Sequence, residues 1–472
     1  MIATTTSTST PVEQITHLSV AERAERGRRA RKSVPRQSLG AWAPGPSRTD
    51  PATVLGAQEV TRVPELVPIR HERMLASPFA FYRGAAAVMA ADLAASPSTD
   101  LLVQCCGDAH LANFGGFAAP DRRMIFDIND FDETSTGPFE WDVQRLCASF
   151  VIAAAANGID GSQPGDIARH AAQRYRETMR EFARMRNLDV WYARLDVDSL
   201  LDQWGDQVST KEVNRLRATV TKARGKDSLR AFAKLTAEVD GDVRIVEDPP
   251  LIVRLESLAG SMAPEILAPW LHERFREYRA SLQPDRRRLL ESYELVDIAR
   301  KVVGVGSVGT RCWIVLMRGR DAGDPLFMQI KEAEASVLEP YVGAAGYTNH
   351  GERVVDGQRL LQAASDVLLG WFRVASPDDG LHRDFYVRQL WDGKLSPAIE
   401  RMTPSSMAVY AEMCGWTLAR AHARSGDRVA IAAYLGGGDA FDRALGEFAL
   451  AYAEQNQRDF ESVTEAFATG AG

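Results

Sequence analysis

The stretch Gly107-Asp108-Ala109-His110-Leu111-Ala112-Asn113 decides the fold of this chain, together with Phe126-Asp127-Ile128-Asn129-Asp130, which follows it closely. A short apolar run precedes or overlaps each stretch, at 101–106 and at 124–128, and such runs predict β-strands. Acidic and amide side chains therefore emerge where two strands end. Because Mg²⁺ prefers hard oxygen ligands, a carboxylate and an amide oxygen form a suitable pair of ligands for it.

A glycine-rich stretch, Gly304-Val305-Gly306-Ser307-Val308-Gly309, lies far along the chain, and Lys331 ends an apolar run at 326–330. The backbone amides of such a stretch can approach phosphate groups closely. A dinucleotide-binding fold does not fit, because the residues at 310–317 predict a strand rather than a helix. A hairpin with flexible turns has the same glycine pattern, and Lys331 is what favours a phosphate site.

The composition is that of an ordinary globular protein. The chain has 472 residues, of which 45% are hydrophobic and 25% charged, so it is long enough for two lobes. A net charge of −7 argues against nucleic-acid binding. No apolar stretch approaches the roughly 20 residues that span a bilayer, and the amino terminus lacks the features of a secretion signal. We therefore expect a cytoplasmic protein, without membrane partners, whose five cysteines are reduced core residues.

The order of predicted elements indicates an α+β architecture of two lobes. We expect a disordered tail at 1–24 and a helical lobe at 25–300, which carries the catalytic and metal-binding loops and a helical insertion. A β-rich lobe at 301–395 would bind the nucleotide, and C-terminal helices at 396–472 would pack on the helical lobe. Strands are predicted at 302–305, 312–317 and 326–330, after a helix at 285–299.

The pattern Gly-Asp-x-His-x-x-Asn, followed by an apolar strand with Asp-x-x-Asp, resembles the aminoglycoside and choline kinase branch of the kinase-like superfamily. The resemblance implies a protein-kinase-like fold with ATP and Mg²⁺ as cofactors. It implies that Asp108 is the catalytic base and that Asn113 and Asp127 bind the metal. Asp142 resembles a structural residue of that branch, and His110 would orient the loop.

The remaining site residues follow from the same resemblance. Asp130 is a further candidate metal ligand. The phosphates of ATP would be held by the glycine-rich stretch and by a lysine of the third strand, which implies roles for Gly304, Gly306, Ser307, Gly309 and Lys331. The acidic partner of Lys331 stays open, with Glu339 slightly favoured over Glu352, and Glu332 and Glu334 are closer in the sequence.

Over residues 25–460 the chain is similar to a bacterial family of unknown function, number 2252, which is grouped with the kinase-like fold. Kinases have the glycine-rich loop before the acidic segment, so the reversed order here implies a circular permutation. Chain termini are often close together, which permits such a rearrangement. The helix that leads into the catalytic loop is either the one near 85–93 or the one at 405–424, and chain continuity favours the first.

The sequence thus predicts an ATP- and Mg²⁺-dependent phosphotransferase that phosphorylates a hydroxyl of an unidentified acceptor, with a small molecule favoured. The acceptor would bind beside Asp108 under the helices at 160–300, and Arg70, Arg73 and Arg83 could bind an anionic group. The alternatives are a regulatory pseudokinase, a protein kinase or a nucleotidyl transferase with the same site. A metal-dependent phosphohydrolase would leave the glycine-rich stretch and Lys331 without a role. A plain acidic turn is the simplest alternative for the acidic segment. A calcium-binding loop is a poorer alternative, because the segment lacks the central Gly and the distal Glu of an EF-hand.

Overall fold

The computed structural model describes residues 17–469, apart from 208, 225–227, 240, 260–263, 376–379 and 391–392. The helices within these ranges are α1 (Val20–Ser33), α2 (Pro51–Ala57), α3 (Val67–Met74), α4 (Pro78–Gly84), α5 (Ala86–Ala94), α6 (Phe139–Ala156), α7 (Gln163–Phe182), α8 (Asn187–Tyr192), α9 (Val197–Trp204), α10 (Thr210–Arg224), α11 (Ser228–Leu235), α12 (Leu255–Ala259), α13 (Pro264–Ser281), α14 (Pro284–Leu290), α15 (Glu339–Val342), α16 (His350–Leu361), α17 (Pro404–Ser425), α18 (Arg428–Leu435) and α19 (Ala440–Ala468). The strands are β1 (Leu102–Cys105), β2 (Phe114–Ala118), β3 (Met124–Ile128), β4 (Ser135–Pro138), β5 (Leu195–Asp196), β6 (Thr236–Val239), β7 (Asp242–Ile245), β8 (Ile252–Arg254), β9 (Glu294–Lys301), β10 (Cys312–Arg318), β11 (Pro325–Ala333), β12 (Gly370–Ala375) and β13 (His382–Gln389). The architecture is mixed α+β, with a helical lobe and antiparallel sheets.

The largest sheet has six antiparallel strands in the order β12-β13-β11-β10-β9-β8. The glycine-rich stretch joins β9 to β10, and Lys331 lies on β11, opposite Cys312 of β10 and Tyr386 of β13. The predicted helix at 285–299 is wrong after Leu290, because β9 begins at Glu294. The predicted strand at 302–305 is also wrong, because β9 ends at Lys301 and these residues form a loop.

Both faces of this sheet are covered, which explains why β9 was missed. Neighbouring residues of β10 belong to different hydrophobic clusters on the two faces of the sheet. Val315 belongs to a cluster with Tyr278 of α13 and Leu282, which lies at the C-terminal end of α13. Ile314 belongs to a cluster with Leu235 of α11. A strand buried on both faces has no alternation of polar and apolar residues to reveal it. The segment from α11 to α14 therefore packs on the β-rich lobe, and the sheet of that lobe begins at β8, before residue 301.

The helical lobe is built around α6, whose side chains are buried from Phe139 to Ala154. Helices α7, α17 and α19 surround it and share its hydrophobic cluster. The backbones of α17 and α7 approach closely at Gly415, where a Cβ atom would lie 2.3 Å from the carbonyl oxygen of Ala171. Only glycine fits such an approach, so this residue sets the spacing of the two helices.

The N-terminal segment packs against the C-terminal helices. The predicted tail at 1–24 lies largely outside the described residues, and α1 begins at Val20 with a capping box between Ser19 and Glu22. Gly27 of α1 contacts Ala430 of α18. The five cysteine side chains are buried and form no disulfide, as expected. Within the described ranges, no helix has the length and apolar character needed to cross a membrane.

Candidate functional site

One cleft brings together residues from four distant parts of the chain. It is lined by the segment before α5, the loop after β1, the acidic stretch after β3, and the glycine-rich stretch with the end of β11. Its empty volume, including space open to solvent, is about 1010 Å³. The predicted site residues that line it are Asp108, His110, Asn113, Asp130, Gly304, Gly306 and Ser307. The structure thus brings both sequence motifs to one cavity.

The side chain of Asp142, in the first turn of α6, accepts hydrogen bonds from the backbone of the loop that carries Asp108. Asp142 accepts hydrogen bonds from the backbone N–H groups of Cys106 at 2.7 Å and Gly107 at 3.0 Å. His422 of α17 lies 3.2 Å from the same carboxylate. Gly107 has a φ of +81°, and a Cβ there would lie 2.1 Å from the carbonyl oxygen of Glu133. The expected structural role of Asp142 therefore follows from its contacts, and Gly107 is required for the turn.

Asp108 forms an ion pair with Arg145 of α6, whose Nε donates to Oδ1 at 2.6 Å. Burial raises the pKa of Asp108, and the positive charges of Arg145 and Arg83 oppose that rise. His110 lies with its Nε2 3.6 Å from Oδ2 of Asp108. Burial and the two arginines lower the pKa of His110 well below its usual range. The imidazole is therefore neutral at pH 7, which suits an orienting role better than that of an acid.

Asn113 lies at the end of the same loop. Its Nδ2 donates to the backbone oxygen of Asp108 at 2.9 Å, which fixes the amide plane. Because the nitrogen is used in this bond, the side-chain oxygen is the atom available to a cation. An amide oxygen is among the hard oxygen ligands that Mg²⁺ accepts.

Asp127, the predicted main metal ligand, does not line the cleft. Its side chain is 0% exposed and forms an ion pair with Arg420 of α17. It also accepts hydrogen bonds from the backbone N–H groups of Ile128 at 2.9 Å and Ala363 at 2.8 Å. Its carboxylate is thus satisfied by the protein itself. The contacts assign Asp127 a structural part, the anchoring of β3 to α17.

The side chains of Asp130 and Asp132 are partly exposed, and both line the cleft. Lys331 of β11 forms an ion pair with Asp132, and its Nζ lies 3.9 Å from Oδ1 of Asp130. Tyr386 donates its hydroxyl to Asp132 at 2.6 Å. Burial and the neighbouring charge of Asp132 raise the pKa of Asp130. Asp132 was not among the candidates, although its place two residues after Asp130 could have indicated it.

Lys331 is buried and is not among the residues that line the cleft, and its ammonium group pairs with Asp132 and lies near Asp130, which do line it. The favoured candidate Glu339 instead lies 3.6 Å from Arg353 and 3.9 Å from His350, both on α16. Arg353 is fully buried and donates to the backbone oxygens of 132, 134 and 334. Helix α16 therefore ties the acidic stretch to the end of β11 through an arginine.

The glycine-rich stretch rests on the segment before α5. Gly304 and Gly309 have φ values of +73° and +94°, in the left-handed region. Arg73 donates to the carbonyl oxygen of Gly304 at 3.0 Å, and the N–H of Val63 donates to that of Gly309 at 2.8 Å. A Cβ on Gly306 would lie 3.1 Å from the carbonyl oxygen of Arg83. The segment at 58–86 thus forms part of the cleft wall, and no described residue of the helices at 160–300, which the sequence predicted to cover the acceptor in part, is among the lining residues.

The side chains of the cleft can be compared with the ligands that Mg²⁺ prefers, which are oxygen atoms in octahedral geometry. Within the described ranges, no three His, Cys, Asp or Glu side chains are arranged to hold a metal ion by themselves. Mg²⁺ bound to a nucleotide, however, takes only one or two protein ligands beside phosphate oxygens and water. Asn113 and Asp130 supply one amide oxygen and one carboxylate on the same cleft, so the site fits a metal that arrives with a nucleotide.

The comparisons with known proteins agree with the resemblance at the level of the family. A family model described as an uncharacterized protein conserved in bacteria, DUF2252, matches residues 62–466. No curated protein and no solved structure matches the chain. The chain belongs to the DUF2252 family.

Proposed function

We propose that this member of the DUF2252 family is an ATP- and Mg²⁺-dependent phosphotransferase that phosphorylates a hydroxyl of an acceptor, with a small molecule favoured. The observation that carries the proposal is the shared cleft: Asp108, Asn113 and Asp130 face Gly304 and Ser307 across it. Phosphoryl transfer is catalysed mainly by positioning and by electrostatic stabilisation. It therefore needs a base, metal ligands and a phosphate-binding loop in one cavity.

The β-rich lobe supports this proposal. A kinase places its lysine on the third strand, after a glycine-rich loop between the first two. Here the loop joins β9 to β10, and Lys331 lies on β11. A kinase lysine pairs with a glutamate of the helix that follows, whereas Lys331 pairs with Asp132 of the acidic stretch. We therefore propose that Asp132 pairs with the lysine in this conformation, as the glutamate of the helix does in a kinase.

The proposed roles follow from the contacts. Asp108 accepts the proton of the acceptor hydroxyl, and Lys331 and the glycine-rich loop hold the phosphates. Asn113 and Asp130 hold the Mg²⁺, which would neutralise charge on the phosphate oxygens. Asp130 replaces Asp127 in this role, because Asp127 is already bound by Arg420.

The reversed order of the two motifs has a geometric explanation at α17. The hydroxyl of Ser425, the last residue of α17, accepts a hydrogen bond from the backbone N–H of Gln104 in β1 at 3.2 Å. A Cβ on Gly426 would lie 2.6 Å from the side chain of Val103. The end of α17 thus meets the strand that leads to Asp108. We infer that α17 takes the place of the helix before the catalytic loop, the alternative that chain continuity had disfavoured.

A nucleotide-binding regulator is the second candidate, and one observation favours it. Arg145 holds Asp108 in an ion pair at 2.6 Å, and its positive charge weakens the carboxylate as a base, against the opposing effect of burial on the pKa of Asp108. A regulator would bind ATP and transfer nothing.

Thermal unfolding with nucleotide tests the proposal. Mg²⁺ with ATP should raise the melting temperature of the full chain, because a ligand at 100 times its Kd stabilises the folded state by about 2.7 kcal/mol. Asp130→Asn should lose most of this increase, and Asp121→Asn, at an exposed carboxylate, should keep it. An unchanged melting temperature of the wild type at millimolar ATP would contradict the proposal.

Transfer itself is tested with Asp108→Ala. This variant should bind ATP and lose transfer of labelled phosphate to whichever acceptor a screen with the wild type identifies. A wild type that binds ATP but labels no acceptor, protein or metabolite would favour the regulator. If Asp108→Ala retained turnover, Asp108 would not be the catalytic base.

A further inference from the structure

Arg83, near the C-terminal end of α4, lines the cleft and is half-buried, and no described residue pairs with its charge. Its Nε is buried and has no hydrogen-bond partner in the described part of the chain, and no ion pair within 4.0 Å is found for it there. Partial burial without a counter-charge destabilises the guanidinium, because a charge that loses hydration is stabilised when an opposite charge pairs with it. The unmatched charge indicates an anion that binds in the cleft.

The other cations of the cleft region are engaged. Arg62 donates to the backbone oxygen of Val308, and Arg145 is held by Asp108. Lys331 forms its ion pair with Asp132. Of these four cations, Arg83 is the one whose side chain donates no hydrogen bond to any described residue.

The position of Arg83 lies between the two halves of the proposed site. Its backbone contacts Gly306 of the glycine-rich stretch, where a Cβ would be 3.1 Å from its carbonyl oxygen. Its charge acts on Asp108 and Asp130, although neither carboxylate lies within ion-pair distance. The group that moves from a nucleotide to an acceptor must pass between the loop and the base.

We propose that Arg83 is a catalytic residue that binds the γ-phosphoryl group of ATP and stabilises its charge during transfer. This inference rests on the proposed function. In the step, the bond between the γ-phosphorus and the bridging oxygen breaks, and its electron pair leaves with ADP. A new bond forms between phosphorus and the acceptor oxygen, whose proton goes to Asp108. Arg83 donates N–H groups to the non-bridging oxygens, as arginines do in other phosphoryl-transfer sites.

Binding measurements on the full chain test this role without knowledge of the acceptor. Calorimetry would compare Mg²⁺-ATP, Mg²⁺-ADP, and Mg²⁺-ADP with aluminium fluoride, a mimic of the transferred group. Arg83→Ala should lose about 10- to 100-fold in affinity for ATP and for the fluoride complex, since a hydrogen bond to a charged group contributes about 1.5–3 kcal/mol. Affinity for ADP should stay within about twofold. The ATP affinity of Arg83→Lys should lie between those of the wild type and Arg83→Ala. Arg29→Ala, which replaces an exposed arginine of α1, should have the nucleotide affinities of the wild type.

The possible failures are distinguishable. A wild type that binds neither nucleotide would contradict the proposed function and the inference with it. Nucleotide binding by the wild type with equal ATP affinity in Arg83→Ala, or with equal losses for ATP and ADP, would overturn the inference alone. If Arg83→Ala does not fold, Arg83→Gln removes the charge at nearly the same length, and the same ATP-to-ADP comparison decides.

Discussion

Asp127 and Asp130 are three residues apart, yet the fold gives their carboxylates opposite surroundings. Asp127 is completely buried against Arg420, whereas Asp130 lines the cleft with Lys331 nearby. Removing one partner of a buried ion pair leaves an unpaired charge and costs about 3–5 kcal/mol. A loss of nucleotide binding in an Asp127 variant would therefore report on folding as well as on the site, and Asp130 is the better test of metal binding.

Glu140, in the first turn of α6, makes the stability of the protein depend on pH. Burial raises the pKa of its carboxyl group from 4.5 to about 7, while Thr99 donates its hydroxyl to it at 3.0 Å. Between these two pH values the folded state holds a proton that the unfolded state has lost. The free energy of unfolding therefore falls as the pH rises through this window.

Glu140→Gln should remove this dependence, because the amide mimics the protonated acid. Denaturant unfolding at about pH 5 and about pH 8 should show the variant gaining stability relative to the wild type as the pH rises. Glu65→Gln serves as a control, since the hydrogen bond from Arg300 lowers the pKa of Glu65, so that its titration lies below this pH range and its effect on stability should be nearly the same at both pH values. Identical pH profiles of the wild type and Glu140→Gln would show that Glu140 titrates normally.

At the scale of elements, the loop between β9 and β10 is held in one shape by its glycines. Gly309 has a φ of +94°, and a Cβ there would lie 3.1 Å from the side chain of Arg62. Gly309→Ala should lower the free energy of unfolding by about 1–3 kcal/mol, because a side chain is strained in this region. Gly56→Ala has open space around it in α2 and should be neutral or raise stability by up to about 1 kcal/mol. Equal stability of the two variants in urea would contradict the strain at Gly309.

The elements around this loop show where sequence patterns were sufficient. The predicted strands at 312–317 and 326–330 are confirmed within β10 and β11, since each is a short run rich in apolar residues between polar turns. The strand before the loop was placed too late, after a helix extended to 299. Local patterns at 294–301 do not alternate, because neighbouring segments cover both faces of the sheet.

At the scale of the whole molecule, Arg48 joins the beginning of the chain to its last helix. Its guanidinium pairs with Asp92 of α5 at 2.7 Å and with Asp459 of α19 at 2.6 Å. Both carboxylates are buried, and Tyr452 donates its hydroxyl to Asp92 at 2.9 Å. Two buried carboxylates thus depend on one cation from a distant segment.

Arg48→Met should lower the free energy of unfolding by about 3–5 kcal/mol, because it leaves both carboxylates unpaired. Arg186→Met removes an arginine that is 87% exposed from its ion pair with Asp189. This control should change stability by less than about 1 kcal/mol. Chemical denaturation of both variants checks the difference, and similar losses would show that the Arg48 network contributes no more than an exposed pair.

The amino-acid sequence by itself determined the residue types and spacings that matter: two motifs with a base, an amide and carboxylates in one and glycines in the other. These are local features, since a strand, a turn and a glycine depend on nearby residues. Only the tertiary structure decided that Asp130 rather than Asp127 lines the cleft, and that Arg83 has no ion-pair partner among the described residues. The physical reason is that the environment of a charged side chain is set by groups from other elements of the fold, such as Arg420 beside Asp127 and Lys331 beside Asp130.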